Sequence, residues 1–149
     1  MTGGLVAGLV VRLAEPGDRP ALHALRQVVF VQGQGVPQDL ERDAQDEVCD
    51  HAVALLDGAV VGTGRLLAPA DRTATVGRMA VAADARGRGV GSAVLQTLEQ
   101  RAVERGWTAV ELHAQVHARV FYERAGYTPV GQTYLEAGIE HLTMRKELG

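Results

Sequence analysis

Short apolar runs broken by glycine, proline and acidic residues divide the chain into strands and helices. Residues 5–13 read as a first strand preceded by a loose tail. Asp18 is placed to cap a helix with Pro20 in its first turn, and Leu22, Leu25, Val28 and Val29 give that helix an apolar side to about Phe30. Residues 32–37, QGQGVP, break it. Residues 38–50 carry Asp39, Glu41, Asp43, Asp46, Glu47 and Asp50, and read as a short helix or loop with a solvated acidic face. Residues 51–56 and 60–67 form strands joined by an Asp57-Gly58 hairpin turn, and residues 69–71 lead into a central strand, 73–82. Beyond a glycine-rich turn, residues 92–104 form a helix with Leu95, Leu98 and Ala102 on one face and Gly106 as C-cap. Strand 108–114, helix 116–125 ended by Gly126, and strands 127–132 and 139–146 complete the order β-α-α-β-β-β-α-β-α-β-β. This order predicts an α+β fold of three layers: a mixed, mostly antiparallel sheet with helices on both faces.

Composition narrows the setting. The 149 residues fit one domain spanning 1–149, large enough for a real core. A net charge of −3 argues against a nucleic-acid or anionic-membrane partner. Cys49 is the single cysteine, so no intrachain disulfide forms and a reducing, cytoplasmic setting is expected, with Cys49 a buried or incidental thiol. The apolar start has no basic residue before it and is too short to cross a bilayer. No metal-ligand spacing stands out, and a homodimer is left open.

Candidate chemistry is concentrated between residues 73 and 106. Gly87, Gly89 and Gly91 alternate just ahead of a helix, with Arg86 and Arg88 beside them. Glycines there let the backbone approach a ligand, and the free N–H groups and helix dipole favour an anion. Two arginines add charge suited to phosphate. A P-loop is excluded because the chain's one lysine is Lys146. A dinucleotide fingerprint fails too, since the third glycine would fall at Ser92 or Val94.

The pattern that does fit is Arg-x-x-Gly-x-Gly at Arg86, Gly89 and Gly91, which resembles the pyrophosphate loop of the GCN5-related N-acetyltransferases, the GNAT family. Ala118, Tyr122, Gly126 and Tyr127 resemble that family's Ala-x-x-x-Tyr-x-x-x-Gly-Phe signature. Phe30, Gln34, Val36, Pro37, Leu40, Glu41, Asp43, Asp46 and His51, with Gly138, Ile139 and His141, resemble its small bacterial ElaA/YjcF-like branch. The resemblance covers almost the whole chain. Departures are Gly33, where the branch usually has Glu; Tyr127 for the commoner Phe; and Gln115, where many relatives outside the branch have Asn.

The resemblance implies the acyl-CoA N-acyltransferase fold and acetyl transfer from acetyl-CoA to a primary amine of a small acceptor. It places the pantetheine arm against Met79, Ala80 and Val81, and the pyrophosphate on Gly87, Arg88, Gly89, Val90, Gly91 and Ser92, with Arg86 beside them. A backbone N–H near Ala80 or Val81 would steady the oxyanion. Tyr122 takes the position of the acid that protonates the leaving thiolate. The base is open among His141, Glu111, His113 and Asp46, with His141 favoured; His23 and His117 read as surface residues. Gln115 faces the acceptor, and Arg65 and Arg78 are either solvated arginines or a cationic floor for an anionic acceptor. Two other functions stay open. One is an acyl-homoserine-lactone-synthase-like enzyme, from a faint likeness across residues 30–46. The other is a sensor that binds acyl-CoA without turnover.

Overall fold

The computed structural model describes residues 7–69 and 71–149; the first two residues of the expected first strand and the middle of the 69–71 turn lie outside them. Seven strands form one sheet: β1 (Leu9–Leu13), β2 (Asp50–Leu56), β3 (Ala59–Leu67), β4 (Thr73–Val81), β5 (Ala109–Gln115), β6 (Thr128–Glu136) and β7 (Ile139–Glu147). Their spatial order is β1-β2-β3-β4-β5-β7-β6. All neighbours are antiparallel except β4 and β5. The parallel step is the one joined through a crossover helix, α3 (Val90–Glu104), as a parallel connection requires.

Helices cover both faces, because strand residues alternate sides. Added β-carbons at Gly62 and Gly64 would strike Val90, Val94 and Leu98 of α3, so these glycines let α3 lie close on the sheet. Leu95, Leu98 and Ala102 of α3 join Ala74, Val76, Val110 and Leu112 in the main core. Thr63 and Arg65 point the other way, toward α1 (Arg19–Arg26), which buries Leu22 and Leu25.

Several local expectations change. The first helix does not stop near Phe30: it continues as a π-helical turn, Gln27–Gln32, and Gly35 at φ +72 follows. Asp18 does not cap α1; its carboxylate accepts from the Glu15 amide and pairs with Arg12. The acidic stretch, α2 (Gln38–Glu41) followed by a 3-10 turn at Ala44–Glu47, is not a solvated face throughout. Glu41 and Asp46 are buried, while Asp39 and Glu47 are exposed. His23 is half-buried, whereas His117 is exposed as expected. Tyr127 is fully buried ahead of β6 and donates its hydroxyl to Glu99 at 2.8 Å. The Asp57-Gly58 turn forms, both residues having positive φ, as the two-residue hairpin geometry demands.

Candidate active site

The centre of the sheet opens into a cleft. Strands β4 and β5 pair over Thr73–Val76 and Ala109–Leu112 and then part. A bulge in β4 accompanies the parting: Thr63 faces Ala80, but Arg65 faces Gly77, so Arg78 and Met79 together oppose Gly64. Arg78 sits at φ +51, a left-handed conformation that costs a non-glycine residue about 1–3 kcal/mol. Its guanidinium holds it there, donating to the carbonyls of Glu41 at 2.8 Å and Leu40 at 3.1 Å. Beyond the bulge the Ala82 amide donates to Val61 of β3. Ladder alternation then turns the Ala80 amide toward β3 and the Val81 amide and carbonyl toward the gap. Of the two oxyanion donors considered, the geometry therefore favours Val81. The cleft has a volume of about 850 Å³ and runs between this splay and the segment of residues 29–41.

At one end of the cleft the chain turns into α3. Gly87 and Gly89 have φ of +77° and +80°, and Gly89 is the N-cap with no side chain bonding the first amides. A β-carbon on Gly87 would meet nothing within 4 Å, so the space before the turn is open. Gly91 is helical; a β-carbon there would press on Phe121 at 3.3 Å. Arg86 anchors to the Val81 carbonyl at 3.2 Å, and Arg88 and Ser92 are exposed. Free amides, two arginines and an adjoining strand whose Val81 amide faces the gap suit a pyrophosphate carried on an extended arm.

Tyr122, on α4 (Arg119–Arg124), lines the cleft and is 9% exposed. Burial pushes its phenol up to about 12. His141 on β7, 7% exposed, donates Nδ1–H to the Ile139 carbonyl at 2.7 Å, which fixes the tautomer and leaves the Nε2 lone pair as acceptor. Glu136 Oε2 lies 3.7 Å from that Nε2, and the Tyr134 ring stacks on the imidazole. Gln115 and Gln34 exchange amide bonds at 2.7 and 3.3 Å, tying β5 to the end of the helical segment.

The other base candidates fare differently. Glu111 shares the strand face of His113 and Gln115 but pairs with Arg145 at 3.1 Å. His113 is exposed and bonded to the Tyr134 hydroxyl. Asp46 is fully buried, its oxygens bound by Arg26 and Arg65. Burial alone would raise its carboxyl, but these bonds and the Asp43 amide hold it well below the usual carboxylate range. A carboxylate so committed is a poor proton acceptor. Arg65 and Arg78 are both paired, Arg65 buried and Arg78 partly exposed. Arg65, 4% exposed, bonds Asp43 and Asp46 at 2.7 and 3.0 Å, and Arg78 reaches the carbonyls before Asp43.

The sequence profile of the acetyltransferase (GNAT) domain matches residues 22–148. The chain belongs to the GNAT family. Among relatives of this GNAT chain, the uncharacterised N-acetyltransferase YjcF of Bacillus subtilis is 34% identical, over 83% of this chain and 88% of its own. ElaA of Escherichia coli is 33% identical over 86% of each. A solved structure from Lactobacillus plantarum superposes with a TM-score of 0.88 at 35% identity, over 95% of this chain and 99% of its own. The branch and fold that the motifs suggested are thus those of its relatives.

Two cleft residues of this GNAT chain, Gln34 and Glu136, and Tyr134, which stacks on His141, escaped the sequence reading as site residues. Gln34 stood in view only as a branch marker. Tyr134 and Glu136 fell beyond the predicted end of β6, because Gly131, at φ +78, and the polar run around it look like a stop. The signal that could have found them is the two-residue turn Ala137-Gly138, which requires β6 to run to Glu136. Among the described residues, Asp46, Cys49 and His51 bring ligand atoms within 4.8 Å of one another. Asp46 already serves two guanidinium groups, so the trio does not suit a metal. No helix of the described residues is long and apolar enough to cross a membrane.

Proposed function

We propose that this chain is an acetyl-CoA-dependent N-acetyltransferase acting on the primary amine of a small acceptor. The observation that carries the reading is the continuity of the β4–β5 splay with the glycine turn at the start of α3. Acetyl-CoA, when bound, supplies an acyl group activated as a thioester. Met79 offers its backbone groups and Val81 its amide to the arm, with Ala80 packing between them. The amides of residues 87–92, with Arg86 and Arg88, hold its pyrophosphate.

The amine must shed a proton before it attacks, and the departing sulfur must gain a partner. His141 Nε2 accepts the amine proton, directly or through water. The phenol of Tyr122 donates toward the sulfur. With its pKa near 12 against about 8.5 for an ordinary thiol, full proton transfer is uphill even to the free thiolate, so it acts as a hydrogen-bond donor to the charge developing on sulfur, and coenzyme A departs as the thiolate. Gln115, held by Gln34, orients the acceptor, while Arg65 and Arg78 shape the floor rather than bind an anion. A cleft-lining phenol with this placement favours catalysis over sensing. The single-domain organisation and the cytoplasmic setting belong to the same proposal.

The test is a thiol-release assay with acetyl-CoA across amines, amino acids, aminoglycosides, polyamines and peptide N-termini, run beside thermal shifts. Acetyl-CoA is expected to raise the melting temperature well above the effect of free pantetheine, because the glycine turn binds pyrophosphate. Equal shifts would count against the site.

A further inference from the structure

We propose that the acceptor is a primary amine on an apolar body that carries no carboxylate. The inference rests on the acetyltransferase reading above and narrows its substrate. The acceptor end of the cleft has two unlike walls. Phe30, Val36 and Leu40 form one, and Gln115, Glu136 and His141 the other. A carboxylate on the acceptor would need a cation whose charge no protein carboxylate already offsets.

The floor does not supply one. Arg65 binds Asp43 and Asp46, with its Nε buried and unpartnered, and Arg78 turns Nε and Nη2 to the carbonyls of Glu41 and Leu40 and to Asp43. Behind them Arg26 binds Glu41 at 2.6 Å and Asp46 at 2.7 Å. Guanidinium groups and carboxylates therefore match within the network, and the floor presents no net charge to the cleft. The remaining arginine among the described lining residues, Arg86, lies at the glycine-turn end.

What the acceptor wall does offer is Glu136. Its side chain is 53% exposed, and its carboxylate sits 3.7 Å from the lone-pair nitrogen of His141. That pairing suits an incoming ammonium: Glu136 holds the cation while His141 takes the proton. A carboxylate next to the amine would be repelled by Glu136 and find only charge-matched cations at the floor to replace lost water. The apolar wall accepts the rest of the molecule.

Matched pairs that differ only by a carboxylate test this with the full chain and acetyl-CoA: 2-phenylethylamine against phenylalanine, and 3-methylbutylamine against leucine. The amines should be consumed with kcat/KM at least about 100-fold above their amino acids, the usual order for an unpaired charge forced into a site. Glu136→Gln, a change at an exposed position, should raise KM for the amines about three- to tenfold and leave acetyl-CoA affinity by calorimetry unchanged. Amino acids used as well as the amines, an unchanged KM in Glu136→Gln, or acetyl-CoA bound with neither member of either pair consumed would overturn the proposal. Failure to bind acetyl-CoA would instead overturn the acetyltransferase reading beneath it.

Discussion

At the scale of single residues, the cleft separates two hydrogen-bonding tasks by environment. His141 presents Nε2 to the cleft because its other nitrogen is tied to the Ile139 carbonyl. Tyr122 keeps its proton because it is buried among Phe121 and Tyr127, with no cation or donor to favour the phenolate. Tyr122→Phe retains the ring, so folding and acetyl-CoA affinity should hardly change. Turnover should fall by about 10²–10⁴-fold, the range for a positioned acid, and the loss should appear in kcat because the bond strengthens as charge reaches sulfur. The raised pKa adds a pH signature. The phenol is active while protonated, so its descending limb belongs near pH 12 and the wild-type rate should not fall between pH 8 and 10 on its account. An unchanged kcat with a true acceptor, or a loss confined to KM, would remove Tyr122 from this role.

At the scale of elements, the decisive feature is how α3 begins. A helix preceded by a left-handed glycine directs its first amides outward, and Gly89 supplies the turn without a capping side chain. Gly89→Val imposes a conformation that costs an L-residue about 1–2 kcal/mol and sets a branched side chain before the amides. The variant should fold with a modest loss of stability while acetyl-CoA affinity falls below detection by calorimetry. Wild-type affinity in a folded variant would move the phosphate site elsewhere.

This turn was legible in sequence because glycines and arginines at fixed spacing have few other uses, and the element order was legible because the apolar runs are cleanly interrupted. The bulge at Arg78 was not, since nothing local distinguishes an arginine at positive φ from one in a regular strand. Its conformation is set by carbonyls about 37 residues earlier in the chain. Burial of Glu41 and Asp46 was hidden for the same reason. An acidic run looks solvated until distant arginines are folded onto it. Of the candidate site residues, those that act through backbone or local spacing were readable. Tyr134 and Glu136, which depend on where a hairpin turns, were not.

At the scale of the molecule, one polar cluster fastens the acceptor side of the cleft to the sheet. Arg26 on α1, Glu41 on α2, Asp43 and Asp46 in the following turn, Arg65 on β3 and Arg78 on β4 bind one another across five parts of the chain. Beside them His51 donates Nε2–H to the Asp46 carbonyl at 3.0 Å, while its Nδ1 and both nitrogens of His23 are buried without partners. Burial and nearby arginines depress both imidazoles below their ordinary value of 6.5. Between that value and the folded one, the unfolded chain binds more protons, so stability is complete above pH 6.5 and declines as pH falls below it. Asp43 and Asp46, also depressed, add a second decline below their ordinary value of 3.8. The urea midpoint should therefore be level from pH 8 to about 7 and drop between pH 6.5 and 5, with a further drop near pH 4. His23→Leu removes two unpartnered nitrogens and one depressed imidazole, so it should raise the midpoint at pH 5.5 more than at pH 7.5. Asp46→Asn should cost about 3–5 kcal/mol at neutral pH, since it leaves Arg26 and Arg65 short of a buried countercharge. A midpoint that stays flat from pH 8 to 5, or a His23→Leu gain equal at both pH values, would show that these histidines are not held neutral by the fold.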